Sequence, residues 1–328
     1  MNAQKMKAIV ATGYGSPEVL QLQEVDKPTP SPTQVLVKVE ATSVTTADGM
    51  MRTGTPYIGR LFIGLTKPKK PIPGTGFAGV VESVGNEVTQ YKAGDRVFGE
   101  TKMNFCANAE YLVAEEAGVM LHMPESMKYQ EAAVYCDGHL TSINFLKELA
   151  QVKPGQKVLI NGASGSLGTS AVQLAKYFGA HVTGVCSTTN VGLVKSLGAD
   201  AVIDYKTTDF TKSENKYDII YDTIGKSSFG ACKETLAEEG QYITPVLKLS
   251  VLGEMILSSI KGKKRVKFEA TGSRKADYLR NLLQELVEIF KSGQLQTIID
   301  RQYPLSKVAE AHQYIGEGHK KGNVIAFN

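Results

Sequence analysis

Residues 157–168 read KVLINGASGSLG, and this stretch decides the fold of the chain. Residues 158–160 (VLI) are apolar, and with Lys157 before them they predict a buried strand. The loop that follows carries Gly162, Gly165 and Gly168, spaced G-x-x-G-x-x-G, and then opens a predicted helix. Glycines at such positions let the backbone approach a pyrophosphate, and the helix N-terminus offers N–H groups to phosphate oxygens. We therefore predict dinucleotide binding; the alternative is a merely tight strand–helix turn.

Helices and strands alternate around this loop, which is typical of βαβ units in a doubly wound parallel sheet. This pattern begins near residue 129. Strands are predicted at residues 181–186, 201–203, 217–221 and 241–244, and helices at 166–178, 191–197 and 229–236.

The N-terminal part of the chain is instead rich in predicted strands. Residues 34–41 (QVLVKVEA) place Val35, Val37 and Val39 on one face, and glycine-punctuated segments at 74–85 and 94–98 favour a compact barrel. After a long amphipathic helix at 276–291, a short strand at 323–327 is expected to return to this first domain. We predict two domains, residues 1–126 with 271–328 and residues 127–270.

Composition excludes several classes of protein. The chain has 328 residues, 42% hydrophobic and 21% charged, with a net charge of +4 that is too small and diffuse to indicate nucleic acid. Its four cysteines have no C-x-x-C spacing, which argues against a zinc ribbon or a disulfide framework. No secretory signal is visible at the start, so we expect a cytoplasmic protein.

The most apolar later stretch is residues 244–260 (TPVLKLSVLGEMILSSI). Lys248 and Glu254 interrupt it, and it is too short to span a bilayer. The pattern favours a helix packed at a domain or subunit interface. A membrane-surface helix is the alternative, because basic residues follow directly: Lys261, Lys263, Lys264 and Arg265.

The segment after the second strand of the parallel sheet distinguishes NADP from NAD. An NAD site places an acid there for the ribose 2′-hydroxyl, but residues 185–190 (VCSTTN) contain none. Ser187, Thr188 and Asn190 can donate hydrogen bonds to a 2′-phosphate, and Tyr205 and Lys206 after the third strand could complete the pocket. NADP is favoured. The alternative for residues 187–190 is an ordinary helix N-cap.

Several short motifs occur in this chain in the same order as in the medium-chain dehydrogenase/reductase superfamily, and they make the whole chain resemble it. Within it, the chain is similar to the zinc-independent quinone oxidoreductase and enone reductase branch. The motifs are residues 6–20 (MKAIVATGYGSPEVL), 76–85 (GFAGVVESVG), 94–98 (GDRVF), 110–113 (EYLV), the glycine loop, 196–205 (SLGADAVIDY) and 303–312 (YPLSKVAEAH). The resemblance implies a GroES-like catalytic barrel beside a Rossmann domain.

The resemblance also bears on metal binding. Zinc members of the superfamily carry a Cys where this chain has Thr45, and a His-Glu pair where it has Thr75 and Gly76. These residues cannot supply thiolate, imidazole and carboxylate ligands. We expect no metal. The resemblance thus implies an NADPH-dependent transfer of hydride to a quinone or an α,β-unsaturated carbonyl.

Site residues follow from the same resemblance. Thr45 occupies a position near nicotinamide and substrate where relatives often carry Asn, and Tyr57 could offer a hydroxyl to the substrate oxygen. Asp48 matches an acidic residue common to the superfamily, and we expect it to pair with Arg52 along a short helix rather than to act in catalysis. The implied cofactor-binding residues are Thr141, the loop residues Gly162, Ser164, Gly165, Ser166, Leu167 and Gly168, then Ser187, Asn190 and Tyr205, and, after later strands, Gly225, Thr244, Pro245 and Val246.

Two rival functions stay open: a zinc-type alcohol dehydrogenase, and a non-catalytic NADPH-binding sensor or partner protein. Residues 264–270 (KRVKFEA) alternate like an edge strand, which relatives pair across a two-fold axis. We therefore expect a homodimer.

Overall fold

The computed structural model describes residues 4–55, 57–260 and 262–328. Its chain forms two compact units. Unit 1 comprises the described part of Met1–Asp137 together with Lys275–Gln284 and Ile299–Asn328, and unit 2 comprises Gly138–Arg274 and Glu285–Ile298. The predicted domain bounds, 1–126 with 271–328 and 127–270, remain a prediction.

Strands and helices have the following bounds. The strands are β1 (Lys5–Ala11), β2 (Leu20–Asp26), β3 (Gln34–Val44), β4 (Gly76–Val84), β5 (Arg96–Glu100), β6 (Tyr111–Glu115), β7 (Val119–His122), β8 (Lys157–Asn161), β9 (His181–Cys186), β10 (Ala201–Asp204), β11 (Tyr217–Asp222), β12 (Leu236–Thr244), β13 (Arg265–Phe268), β14 (Ile299–Pro304) and β15 (Asn323–Phe327). The helices are α1 (Thr46–Thr53), α2 (Arg60–Ile63), α3 (Tyr129–Ala132), α4 (Leu140–Ile143), α5 (Ser166–Tyr177), α6 (Val191–Ser196), α7 (Phe229–Cys232), α8 (Leu249–Ile260), α9 (Ala276–Lys291) and α10 (Val308–Gly316).

Unit 2 is built on a six-stranded parallel sheet. Its strand order is β10-β9-β8-β11-β12-β13, so β8, which is the first strand of this sheet along the chain, lies in the middle beside the fourth, β11. This is the Rossmann order, and the point where it reverses is where such sheets bind ligands, beyond the carboxyl ends of the strands. The predicted doubly wound fold is confirmed. The residues that follow β8 and β11 therefore lie where a dinucleotide would bind.

Unit 1 is a strand-rich unit organised around β3. This long strand pairs with β15, β4 and β6, and its register shifts near Leu36 and Val39. Val35, Val37 and Val39 are buried, as their alternation predicts, and they pack with Phe77 and Val97. The last strand, β15, pairs with β3 in unit 1, as the sequence predicts.

One predicted element of unit 2 is partly wrong. The helix expected over residues 229–236 is limited to α7, and Leu236 instead begins β12. Leu236 pairs with Tyr217 of β11 and is buried in the unit 2 core, so burial against the sheet outweighs local helix preference. Elsewhere in unit 2, the predicted strands match to within one residue of the observed bounds, with two exceptions: β12 starts early, and the edge strand expected over residues 264–270 is limited to β13, Arg265–Phe268. Among the described residues, no helix has the length and apolar character needed to cross a bilayer.

Candidate active site

The loop after β8 is held against the neighbouring strand by its own backbone. The N–H groups of Gly162 and Ala163 both donate to the carbonyl of Val185 in β9, at 3.1 and 2.9 Å. Gly165 then donates to the Gly162 carbonyl at 3.0 Å and serves as the N-cap of α5. The loop is thus a short turn that delivers the N-terminus of α5 to the edge of the sheet where β8 ends.

Each of the three loop positions is occupied by glycine for a different steric reason. Gly162 has a φ of +82°, which side-chain-bearing residues rarely adopt. A Cβ on Gly168 would lie 2.1 Å from the Gly162 carbonyl oxygen, so the helix can start this close to the loop only with glycine there. A Cβ on Gly165 would meet only that same oxygen, at 3.5 Å. The protein thus leaves open space above Gly165, and the loop fits a group that must approach the backbone closely.

Asp222, the last residue of β11, organises the carboxyl ends of three strands. Its side chain is fully buried. Oδ1 accepts from the amide of Asn161 in β8 at 2.9 Å and from the N–H of Gly225 at 3.0 Å. Oδ2 accepts from the N–H of Ser227 at 2.9 Å and from the hydroxyl of Tyr242 in β12 at 2.8 Å. Burial and this carboxylate together raise the pKa of Tyr242, so its hydroxyl stays a donor.

The loops after β11 and β12 pack against each other. Gly225 has a φ of +64°, and a Cβ there would lie 2.7 Å from Val246. The Thr244 hydroxyl donates to the Asp222 carbonyl at 2.9 Å and accepts from the N–H of Val246 at 3.2 Å. Pro245 and Val246 are half-buried. Thr244 therefore shapes this loop through its side chain, which places the backbone of residues 245 and 246 at the carboxyl end of the sheet.

The predicted 2′-phosphate residues lie at the ends of β9 and β10. Asn190 is buried, and its amide donates to Ser164 Oγ in the glycine loop at 2.9 Å instead of capping α6. The half-buried Ser187 contacts Thr189 at 3.3 Å. The N–H of Tyr205 donates to the backbone carbonyl of Cys186 at 3.1 Å, and about half of the surface of Tyr205 is exposed. Asn190 thus supports the glycine loop, and Ser187 and Tyr205 remain accessible for a ligand.

Asp204 is a residue that sequence reasoning missed in this region. Its Oδ2 accepts from the hydroxyl of Thr188 at 2.5 Å, and its Oδ1 accepts from the N–H of Lys206 at 2.9 Å. These hydrogen bonds lower the pKa of the carboxyl, the one from Thr188 most, and so hold it ionised. Its position at the end of β10, adjacent to β9, could have been inferred from the predicted strand order.

The segment around Thr141 lies against the first turn of α5. A Cβ on Gly138 would lie 2.9 Å from Ser166 Oγ, and Ser142 Oγ donates to the Leu167 carbonyl at 2.9 Å. Thr141, on α4 between them in sequence, is half-buried. The structure thus brings the Thr141 segment and the glycine-loop helix together within unit 2.

In unit 1, Thr45 forms a capping box at the start of α1. Its Oγ1 accepts from the N–H of Asp48 at 3.1 Å and donates to Asp48 Oδ2 at 2.8 Å, and the same Oδ2 accepts from the N–H of Thr45 at 2.8 Å. Asp48 is buried, and burial raises the pKa of its carboxyl to about 6 despite these bonds. The predicted pairing of Asp48 with Arg52 is wrong, because Arg52 instead donates to the Gly15 carbonyl.

Tyr57 lies on the surface of unit 1. It is 71% exposed, and its ring centroid is 4.7 Å from the guanidinium of Arg60. This arrangement leaves the hydroxyl in solvent, available to a ligand but not fixed by a protein partner in the described part of the chain. Of the two predicted catalytic residues, Thr45 is rigidly held and Tyr57 is not.

Glu100, at the end of β5, was also missed from the sequence. Its Oε1 is buried without a hydrogen-bond partner among the described residues. Burial, reinforced by the negative charge of Asp137 and opposed by Lys102, raises the pKa of the carboxyl to about 7. The available signal was a charged residue directly after VFG, the uncharged middle of the strand segment RVFGE. Within residues 4–55, 57–260 and 262–328, no three His, Cys, Asp or Glu residues are grouped to hold a metal ion.

Comparison with known proteins places this geometry in a family. Residues 31–136 match the alcohol dehydrogenase GroES-like domain, and residues 197–325 match the zinc-binding dehydrogenase family. The chloroplast envelope quinone oxidoreductase homolog of Arabidopsis thaliana is 32% identical, over 99% of both chains. The chain belongs to the medium-chain dehydrogenase/reductase superfamily, in its quinone oxidoreductase-like branch.

Two further relatives agree with this assignment. The 2-methylene-furan-3-one reductase of Solanum lycopersicum is 31% identical, over 98% of this chain and 79% of that protein. The structure of the quinone oxidoreductase from Coxiella burnetii superposes with a TM-score of 0.89 at 27% identity, covering 99% of this chain and 100% of that one. The family supports an oxidoreductase that uses a nicotinamide cofactor, with a GroES-like domain and a Rossmann sheet.

Replacing Asp222 with Asn should destabilise the fold. The asparagine amide replaces one acceptor oxygen with an N–H₂ group, which leaves a buried donor such as the N–H of Gly225 without an acceptor. We expect the free energy of unfolding to fall by about 2–4 kcal/mol, measured by urea denaturation. Asp218→Asn on the same strand is the matched control, because its single bond to the Lys157 N–H lies in a partly exposed place. Equal losses for the two variants would contradict the organising role of Asp222.

Asp48 should make stability depend on pH. In the folded protein the pKa of Asp48 is about 6, above its usual value of 3.8. Between these two pH values the folded protein therefore holds a proton that the unfolded chain has released. This stabilisation is complete below the unfolded pKa and is lost as pH rises to about 6. The difference in unfolding free energy between wild type and Asp48→Asn should therefore fall by about 2–3 kcal/mol over that range. Parallel pH profiles for the two proteins would refute this account of the capping box.

Proposed function

We propose that the protein is an NADPH-dependent, zinc-independent oxidoreductase that transfers hydride to a quinone or an α,β-unsaturated carbonyl. The observation that carries this proposal is the glycine loop at the switch point of the Rossmann sheet. There the start of α5 lies next to the open space above Gly165. Gly168 lets this helix lie close to the Gly162 carbonyl. Relatives named as quinone oxidoreductases and as a 2-methylene-furan-3-one reductase support the substrate class.

In this proposal the cofactor-binding residues come from six segments of unit 2. Residues 162–168 hold the pyrophosphate through backbone N–H groups and the dipole of α5. Thr141 and the backbone of Thr244, Pro245 and Val246 line the nicotinamide end, while Gly225 lets the two strand-end loops pack closely. When bound, the reduced nicotinamide supplies the hydride equivalent.

We infer a preference for NADP from the ends of β9 and β10. Ser187 and Tyr205 offer hydroxyl groups toward a 2′-phosphate, while Asn190 supports the loop beneath them through Ser164. Both oxygens of Asp204 already accept hydrogen bonds from Thr188 and Lys206, so this carboxylate is engaged within the protein. An acid free to bind a ribose 2′-hydroxyl, as NAD sites use, is not supplied by residues 185–190.

The substrate-facing residues belong to unit 1. Reduction of a quinone or enone needs a donor to polarise the acceptor oxygen and a source of protons. Tyr57 offers an exposed hydroxyl for the first role. The Thr45 hydroxyl donates to Asp48 while that carboxyl is ionised, so it acts mainly as a positioning group. Glu100, which holds a proton near neutral pH, is a candidate for the second role.

Zinc independence is supported by the side chains at the relevant positions. Thr45, Thr75 and Gly76 stand where zinc members carry thiolate, imidazole and carboxylate groups, and none of the three provides such a ligand. Polarisation of the substrate oxygen is therefore assigned to hydroxyl groups of the protein.

Turnover and binding test this proposal together. Chelator-treated protein should oxidise NADPH with 1,4-benzoquinone, 9,10-phenanthrenequinone or a short enone, followed by stopped-flow absorbance. Gly165→Ala should keep the fold, since its Cβ has room, yet weaken NADPH binding at least about tenfold by filling the approach to the backbone. Gly192→Ala is the control, at a glycine with equally open surroundings in α6. NADPH binding without any turnover, or activity that requires zinc, would overturn the proposal.

We also propose a cytoplasmic homodimer that pairs through β13. This strand is the edge of the unit 2 sheet, and an exposed edge is usually paired or covered. The Val266 N–H already donates to Ser258 Oγ of α8 at 3.1 Å. Pairing of two β13 strands would therefore use the other backbone N–H and carbonyl groups along this edge. Light scattering should give twice the chain mass of 35.5 kDa; a mass equal to one chain would refute the dimer.

A further inference from the structure

Helix α8 is apolar on two opposite faces. One face, with Val251, Met255 and Ser258, packs toward β13 and the unit 2 core. The opposite face carries five large apolar side chains that are 39–87% exposed, at positions that a helix brings to one side. We call this face the α8 stripe; its members are Leu249, Leu252, Ile256, Leu257 and Ile260. Exposed apolar patches of this kind mark surfaces that contact something else.

The α8 stripe is flanked by positive charge at both ends. Lys248 precedes the helix, and Lys263, Lys264 and Arg265 follow it; Lys261 of the sequence lies outside the described residues. Arg265 is fixed by a hydrogen bond to the Ser258 carbonyl at 2.6 Å. The acidic residues near this end are Glu238, which pairs with Lys263, and Glu254, whose Oε2 is buried. No acidic residue belongs to the stripe itself.

A groove of about 410 Å³ lies beside the C-terminal end of the stripe. Apolar and basic side chains line it together, among them Phe229, Leu257, Lys233 and Lys264, and Glu238 and Glu254 complete its wall. The groove therefore combines apolar side chains with lysine ammonium groups that can bind an anionic group. Such a combination matches a phosphate-bearing headgroup joined to an apolar chain.

Unit 1 repeats the same order of residue types. Its exposed apolar side chains Tyr57, Leu61, Phe62 and Leu65 are followed by the exposed Lys67, Lys69 and Lys70. Two separate segments thus place an exposed apolar patch directly before a basic run. Each segment by itself suits a surface that is apolar at depth and anionic at its boundary.

We propose that α8 docks on an anionic lipid surface. The α8 stripe enters the boundary between headgroups and acyl chains, and Lys263 and Lys264 contact the lipid phosphates. A second copy of the chain fits this face poorly, because basic residues stand at both ends of α8. Parallel or antiparallel pairing of two stripes would bring like charges together without an acid in the stripe to neutralise them. This inference goes beyond the proposed reductase activity and does not depend on it.

Vesicle flotation with the full chain tests the proposal. The protein should float with phosphatidylcholine vesicles that contain about 30% phosphatidylglycerol, and bind at least about tenfold less to phosphatidylcholine alone. Raised salt should weaken binding. The double variant Ile256→Ser with Leu257→Ser, and separately Lys263→Glu with Lys264→Glu, should each reduce the bound fraction about tenfold or more.

Matched controls separate docking from general surface effects. Leu22→Ser removes an apolar side chain that is 41% exposed in unit 1, and Lys195→Glu reverses an exposed charge in α6; both should bind as wild type does. Unchanged circular dichroism establishes that the variants fold. Absence of binding to the anionic vesicles, or equal binding by stripe variants and controls, would overturn the proposal. A mass that halves in light scattering only for the stripe variant would assign the face to a second copy and also overturn it.

Discussion

A single buried carboxylate holds together the part of unit 2 that the rest of the site depends on. Asp222 accepts four hydrogen bonds, and its donors come from β8, from β12 and from the turn that follows β11. A buried charge is costly unless hydrogen bonds satisfy it, so these donors have little freedom to move. The carboxyl ends of three neighbouring strands are therefore tied at one point. That tie lies directly beneath the loops assigned to the cofactor.

This constraint links the fold to the chemistry. The glycine loop begins at Asn161, whose amide donates to Asp222, and the loop of Thr244–Val246 is anchored by the Thr244 hydroxyl on the Asp222 carbonyl. The two loops at the switch point are thus positioned by the same residue from opposite sides. A rigid platform of this kind suits hydride transfer, in which a small error in the placement of the reacting atoms is costly.

Part of this candidate site could be predicted from local features of the sequence. The glycine loop was predictable because its spacing, the strand before it and the helix after it are contiguous in residues 157–168. The role of Asp222 was not, because its partners Asn161 and Tyr242 are 61 and 20 residues away, and only the strand order brings them together. Thr45 shows an opposite case. Its T-x-x-D spacing with Asp48 was a visible capping signal, yet resemblance alone assigned it toward the substrate.

The orientation of α8 also lay beyond the sequence. Apolar residues occur on two opposite faces of this helix, so periodicity could not tell which face packs on the sheet and which stays in solvent.

The central claim is that the loop after β8 and the ends of β9 and β10 hold an NADP nucleotide. Calorimetric titration of the purified chain with NADPH and NADH in the same buffer tests it most directly. The account predicts that NADPH binds at least about tenfold more tightly, an advantage that Ser187→Ala with Tyr205→Phe removes. Equal affinities, or tighter binding of NADH, would contradict it.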